Sequence, residues 1–208
     1  MENHWAVEQL QTIRTLMERS AVYRRALAPI MTFVGVVGIL AAVGGGWLSI
    51  ATLRGFVGFW MGVGALASVG ALLLVRRQAL KEEERFWSLP TRRVAQALFP
   101  PYFAGLAVSS ILLIEPAPSL LNTGMLPAFW MLLYACGLHS AGFFMTRGIR
   151  LFSWLFLLVG CALVGAAGFL AALPGLHYGH AIMGLTFGGL HLAYGIYLSF
   201  TEKGRKAS

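Results

Sequence analysis

The sequence predicts an all-α polytopic membrane protein: a six-helix transmembrane bundle preceded by an N-terminal amphipathic helix. Three observations lead to this fold class. The 208-residue chain is 58% apolar and 12% charged, and it contains no Asp, whereas a soluble domain is about half apolar and about a quarter charged. Six long apolar runs follow one another along the chain. Fifteen of the sixteen Lys and Arg residues fall in every second segment between or beside those runs. If each run crosses a membrane, these segments all lie on the same side of it.

Residues 2–25 are predicted to form the amphipathic helix. Leu10, Ile13 and Met17 recur at three- and four-residue spacing and share one helix face, while Arg14 lies elsewhere on the circumference. We interpret this helix as an interfacial lead-in that covers the cytoplasmic rim of the bundle. The alternative is a membrane-surface or partner-docking helix, in which Leu10, Ile13, Arg14 and Met17 contact the partner.

Residues 26–208 are predicted to form the bundle. A spanning helix needs about 20 apolar residues to cross about 30 Å of hydrocarbon, and it must satisfy its own backbone polar groups there. Six runs reach or nearly reach that length. The predicted spans are residues 26–50, 55–75, 100–114, 125–144, 151–173 and 181–200.

The connection at residues 76–93 is the largest predicted cytoplasmic loop. Its Ser88-Leu89-Pro90 sequence is typical of a helix start, because proline is accepted in the first turn. A double proline, Pro100-Pro101, cannot continue a regular helix. We therefore expect a short interfacial helix over residues 90–98 and a short third span beginning at the double proline. A kink or helix start at the membrane edge is favoured over a substrate-binding interruption.

Glycine concentrates in the spans, where it indicates close helix packing. The chain has 25 glycines, and Gly58-x3-Gly62 and Gly184-x3-Gly188 are small-x3-small steps. Such steps let helix backbones approach one another in lipid. The pattern predicts a compact bundle and does not indicate a channel.

The distribution of Lys and Arg predicts the orientation. The segments at residues 1–25 and 76–93, the connection between the fourth and fifth spans, and the tail carry four, six, two and three of them. The other connections carry only Arg54. The positive-inside rule then places both termini in the cytoplasm, in a bacterial inner membrane. These cations flank apolar runs, so we expect membrane lipids and not nucleic acid as partners.

Four residues inside the spans form a candidate metal site: Cys136, His139, Cys161 and His191. They lie at similar predicted depths, and two Cys with two His match the ligands of a tetrahedral metal. We favour the alternative, in which the cysteines pack as small hydrophobes and each histidine bonds a neighbouring helix. A haem b held between His139 and His191 is less favoured, because their predicted depths differ by about 6 Å.

Other functional classes are weakened by missing residues. The sequence has no G-x-S-x-G, no H-E-x-x-H and no phosphate-binding glycine loop, so we do not expect an enzyme. The spans lack Asp, Glu, Lys and Arg away from their ends, which disfavours ion-coupled transport. His177 and His180 are expected to be interfacial and hydrated. A transporter of a neutral or lipid-like solute stays an alternative, with a polar lining from Ser109, Ser110, His139, Ser140, His191 and Tyr194.

Two segments resemble a known group of proteins. The sequence LQTIRTLMERS at residues 10–20, followed by Tyr23, resembles the N-terminus of uncharacterised bacterial integral membrane proteins. The sequence GLTFGGLHLAYG at residues 184–195, followed by TEK at residues 201–203, is similar to the C-terminus of the same group. Such proteins are encoded beside small winged-helix regulators, which implies a cytoplasmic regulatory protein as partner. We therefore expect a non-enzymatic scaffold, a sensor or a regulator's membrane partner, with a metal- or haem-binding redox protein as an alternative.

Overall fold

The computed structural model describes residues 26–50, 52–81, 83, 86–114, 125–166 and 177–207, and every regular element within those ranges is a helix. The predicted amphipathic helix at residues 2–25, with its candidate docking residues Leu10, Ile13, Arg14 and Met17, lies outside the described residues. The predicted extracytoplasmic connection at residues 115–124 lies outside them as well.

The described chain folds into six helices. They are α1 (Ala26–Trp47), α2 (Leu53–Lys81), α3 (Leu89–Ile114), α4 (Met125–Ala141), α5 (Arg147–Gly165) and α6. Helix α6 consists of three joined parts: His177–Met183, the π-helical segment Gly184–Leu190, and His191–Ala207. Five of the helices are long and apolar enough to cross a membrane, and α4, with 17 residues, is shorter. The predicted fold class, an all-α polytopic membrane bundle, is confirmed.

Helix ends differ from the ends of the apolar runs. Helix α2 continues through Arg76 and Arg77 to Lys81, and α5 begins at Arg147, four residues before the predicted span. Charged side chains mark where hydrocarbon ends, but backbone hydrogen bonding continues into the interfacial region. Hydropathy therefore places a span more reliably than it places the ends of the helix.

The double proline does not interrupt α3. The helix begins after Ser88, as predicted, with the Arg92 N–H donating to the Ser88 carbonyl at 3.0 Å. It then continues through Pro100 and Pro101 to Ile114, so the expected division into a 90–98 helix and a separate span is wrong. Packing offers a physical reason: a Cβ atom at Gly137 of α4 would lie 3.2 Å from the Pro101 ring. Neighbouring helices allow proline inside membrane helices that would break in water.

Helices α1 and α6 pack antiparallel through glycine. A Cβ atom at Gly38 would lie 2.8 Å from the Cα atom of Gly188, and one at Gly35 would overlap the Leu192 backbone. A Cβ atom at Gly195 would lie 2.6 Å from the Thr32 nitrogen. The predicted role of Gly184-x3-Gly188 is thus confirmed. At Gly62 a Cβ atom would meet nothing within 4 Å, so the Gly58-x3-Gly62 step does not make a comparable contact.

Helix α4 joins the two hydrophobic clusters of the bundle. Met131 and Leu138 of α4 pack with α1 and α5 in a cluster that includes Met31 and Phe156. Leu126 belongs to a second cluster at the opposite end, which takes three residues from the first part of α2 and one each from α3, α4 and α6. The members of that second cluster are Phe56, Val57, Trp60, Leu112, Leu126 and Met183. Helix α4 is therefore central to the bundle although it is its shortest spanning candidate.

Candidate functional site

His191 is the centre of a buried hydrogen-bonded chain. It is 1% exposed, and its Nδ1 atom lies 2.7 Å from the Phe187 carbonyl oxygen in the π-helical segment. A carbonyl oxygen can only accept, so Nδ1 carries the proton and Nε2 is the acceptor. The Tyr134 hydroxyl of α4, 2.7 Å from Nε2, therefore donates to it. The chain Tyr134–His191–Phe187 links α4 to the π-helical turn of α6.

Aromatic rings enclose this chain. The ring centroids of Phe152 and Phe156 lie 5.1 and 5.3 Å from that of His191 and meet it edge-on. The Phe187 ring is stacked at 6.3 Å. Both ring nitrogens of His191 are engaged, so the imidazole has no nitrogen left for a metal. The alternative favoured from the sequence, a histidine bonded to a neighbouring helix, describes this residue correctly.

His180 forms a second buried centre, near the first turn of α2. The Trp60 indole N–H donates to His180 Nδ1 at 3.1 Å. The rings of Phe56 and Phe59 lie 5.0 and 5.7 Å from the imidazole, and Gly45 of α1 leaves room for it. His180 is 2% exposed, so the expectation of a hydrated interfacial residue is wrong for it. The aromatic segment at residues 56–60 was the only sequence signal of this burial.

His139 lies at the other end of α4, where the chain turns into α5. The Ser153 hydroxyl donates to the Arg150 carbonyl at 2.7 Å, which leaves its oxygen to accept from His139 Nδ1 at 3.3 Å. The imidazole also meets the rings of Phe143 and Trp154 edge-on, at 5.4 and 5.9 Å. His139 thus connects α4 to α5 through its Nδ1 atom.

The structure does not bring the four candidate metal ligands together. Cys136 and Cys161 are free and exposed on the surfaces of α4 and α5, while His139 and His191 have the separate partners given above. Within the described ranges, groups of three or more His, Cys, Asp or Glu that could hold a metal are not found. The similar predicted depths of these four residues do not bring them together, because depth does not determine the rotation of a helix about its axis. His139 and His191, the two histidines of the haem alternative, bond to Ser153 and Tyr134 respectively.

The polar side chains proposed for a transport path are used elsewhere. Ser109 accepts from the Trp130 indole at 3.0 Å and donates to the Gly105 carbonyl at 2.7 Å. Ser140 is exposed, and the Tyr194 ring stacks on Phe152 at 4.6 Å. These groups tie together different pairs of helices or turns and do not converge on one another.

Comparison of the chain with known protein families, with curated proteins and with solved structures yielded no match. The geometry alone therefore carries the functional inference. Two of its buried hydrogen bonds, Tyr134 to His191 and Trp60 to His180, join different helices.

Proposed function

We propose that this chain is a non-enzymatic membrane scaffold. It crosses a bacterial inner membrane six times, keeps both termini in the cytoplasm, and holds a cytoplasmic regulatory protein at the membrane. The observation that carries the proposal is the Tyr134–His191–Phe187 chain, in which a buried histidine makes one bond to a neighbouring helix and one bond within its own helix. The surface that remains for a soluble partner is the charged cytoplasmic end of the bundle.

Helix α4 supports the count of six spans. At about 1.5 Å per residue it is about 26 Å long, slightly less than the hydrocarbon thickness. It lies antiparallel to α3, with Trp130 bonded to Ser109 and Gly137 opposite Pro101. It also lies antiparallel to α5, with His139 opposite Ser153. A helix that packs along two spanning neighbours in this way crosses the membrane with them.

The cations at the cytoplasmic end support a docking role for that face. Arg76, Arg77, Arg92, Arg93 and Arg147 are all exposed. Exposed cations of this kind attract acidic protein surfaces. Residues 2–25 precede α1 in the sequence, and in this proposal their predicted amphipathic helix supplies the apolar surface of the docking face.

Deleting residues 2–20 is expected to leave membrane insertion intact and to abolish co-purification of the regulatory protein. A finer comparison uses two single serine substitutions on the predicted amphipathic helix. Ile13→Ser removes part of the apolar face and is expected to weaken partner binding about tenfold. Thr12→Ser, one residue away, is the matched control and is expected to leave binding unchanged. Affinity purification from native membranes, followed by mass spectrometry, measures each outcome.

Retention of the same partner by the truncated protein would show that the N-terminal segment is not the docking element. Elemental analysis and a visible spectrum of the purified full chain address the redox alternative in the same preparation. A stoichiometric metal or a Soret band would replace the scaffold proposal with a redox function.

A further inference from the structure

The turn between α4 and α5 places one cation, Arg150, beside an exposed aromatic ring. The guanidinium carbon of Arg150 lies 5.4 Å from the centroid of the Phe143 ring, and Phe143 is 64% exposed. The stem of Arg150 crosses the turn at Gly142, where a Cβ atom would meet it. Stacking occupies the flat face of a guanidinium and leaves its N–H edge available. Arg150 therefore presents hydrogen-bond donors at this edge.

Two further side chains face the same place. His139 uses Nδ1 for Ser153, so Nε2 is the atom that remains for a ligand. Trp154 meets His139 edge-on at 5.9 Å and is 50% exposed. An indole N–H at a membrane interface is typically directed to the headgroup region. Phe143, Arg150, His139 and Trp154 thus form a mixed cationic and aromatic surface from two helices.

The adjoining face of α5 extends this surface in both directions. Arg147 lies three residues before Arg150 and seven before Trp154, which places all three on one side of the helix. Leu151 and Leu158 are 62% and 63% exposed beside them. A strip that is cationic at its end and apolar along its length fits an amphiphile with a negative headgroup.

We propose that the ends of α4 and α5 bind the phosphodiester headgroup of an anionic phospholipid of the phosphatidylglycerol class. Arg147 and Arg150 donate to the phosphate oxygens, and His139 and Trp154 contact the headgroup from below. The acyl chains lie along Leu151 and Leu158. The site's assignment to the cytoplasmic leaflet rests on the proposed orientation. A zwitterionic lipid offers the same phosphate but brings a cation that the two arginines repel, so binding favours net negative charge.

Lipid titration of the detergent-solubilised full chain tests the site, with native mass spectrometry as the readout. The probes are dihexanoyl phosphatidylglycerol, dihexanoyl phosphatidylcholine and sn-glycerol 3-phosphate. We expect phosphatidylglycerol to bind about tenfold more tightly than phosphatidylcholine, and glycerol phosphate to bind more weakly than either lipid. Equal binding of the two lipids overturns the headgroup assignment. Glycerol phosphate that binds as tightly as phosphatidylglycerol replaces the lipid site with a site for free anions.

Arg150→Gln is expected to weaken phosphatidylglycerol binding about tenfold. Arg77→Gln is its matched control, since it removes the same charge from an exposed position on α2 at the same end of the bundle, and it is expected to change binding less than twofold. Equal losses of phosphatidylglycerol binding in both variants would show that diffuse surface charge attracts the lipid, and this result overturns the proposed site. Arg147→Gln, at an exposed position in the first turn of α5, provides a second test if Arg150→Gln does not fold.

The lipid test and the scaffold test can fail separately. Lipid binding is measured on the purified chain without a protein partner, and the partner is tested by changes at residues 2–20, far along the chain from this site. If phosphatidylglycerol is not preferred but the partner still depends on residues 2–20, only the lipid site is disproved. If phosphatidylglycerol is preferred but no partner co-purifies, only the scaffold proposal is disproved.

Discussion

Replacing Gly35 by alanine is expected to lower the free energy of unfolding by about 3 kcal/mol. The added Cβ atom would overlap the backbone nitrogen and Cα atom of Leu192 in α6. A backbone cannot rotate away as a flexible side chain can, so α1 and α6 must separate along the whole seam that includes Gly38 and Gly188. The measurement is unfolding in mixed micelles, followed by tryptophan fluorescence.

Gly62→Ala is the matched control for that experiment. It is the same chemical change in the middle of a long apolar helix, at a position where the new Cβ atom meets nothing within 4 Å. Because alanine favours the helix over glycine by up to about 1 kcal/mol, this variant is expected to be neutral or slightly stabilised. Equal stability of the two variants would contradict the close approach of α1 and α6.

Breaking the chain through His191 is expected to produce the second large effect. Tyr134→Phe leaves the buried Nε2 atom without its donor and is expected to destabilise the protein by about 1–2 kcal/mol. His191→Leu leaves the Tyr134 hydroxyl without its acceptor among phenylalanine rings and removes the Nδ1–H that the Phe187 carbonyl accepts, and about 3 kcal/mol is expected. The two effects share one bond, so the double variant is expected to fall short of their sum by about 1 kcal/mol.

An exposed tyrosine on α6, the helix that carries His191, provides the control for these single and double variants. Tyr197 is 61% exposed, and Tyr197→Phe is expected to change stability by less than about 0.5 kcal/mol. The same mixed-micelle unfolding assay measures all four variants. Strict additivity of Tyr134→Phe and His191→Leu would show that the hydroxyl and the imidazole do not interact.

The fold class was predictable because the signals that specify it are local. Hydropathy and the positions of Arg and Lys identify apolar helices one at a time, and each helix satisfies its own backbone wherever it packs. The start of α3 at Ser88 could be predicted for the same reason. The continuity of α3 through Pro100 and Pro101 could not, because it coincides with a contact to Gly137 on another helix.

The candidate site was harder to predict because it depends on helix rotation. Cys136 and His139 are three residues apart, yet Cys136 faces outward while His139 bonds to Ser153. The partners of His180 and His191, which are Trp60 and Tyr134, lie 120 and 57 positions away. The π-helical segment between the two histidines has no local sequence signal that we recognise. Partner choice across such distances is decided by packing, which a single sequence does not display.

Reporter fusions test the central claim most directly, since scaffold and lipid site both require the proposed orientation. A cytoplasmic reporter and a reporter active only outside the membrane are fused in the 145–150 connection and after the C-terminal tail. The account predicts cytoplasmic activity at both positions, and external activity for fusions within residues 115–124 and 167–176. External activity at the 145–150 connection or at the tail would contradict the six-span orientation.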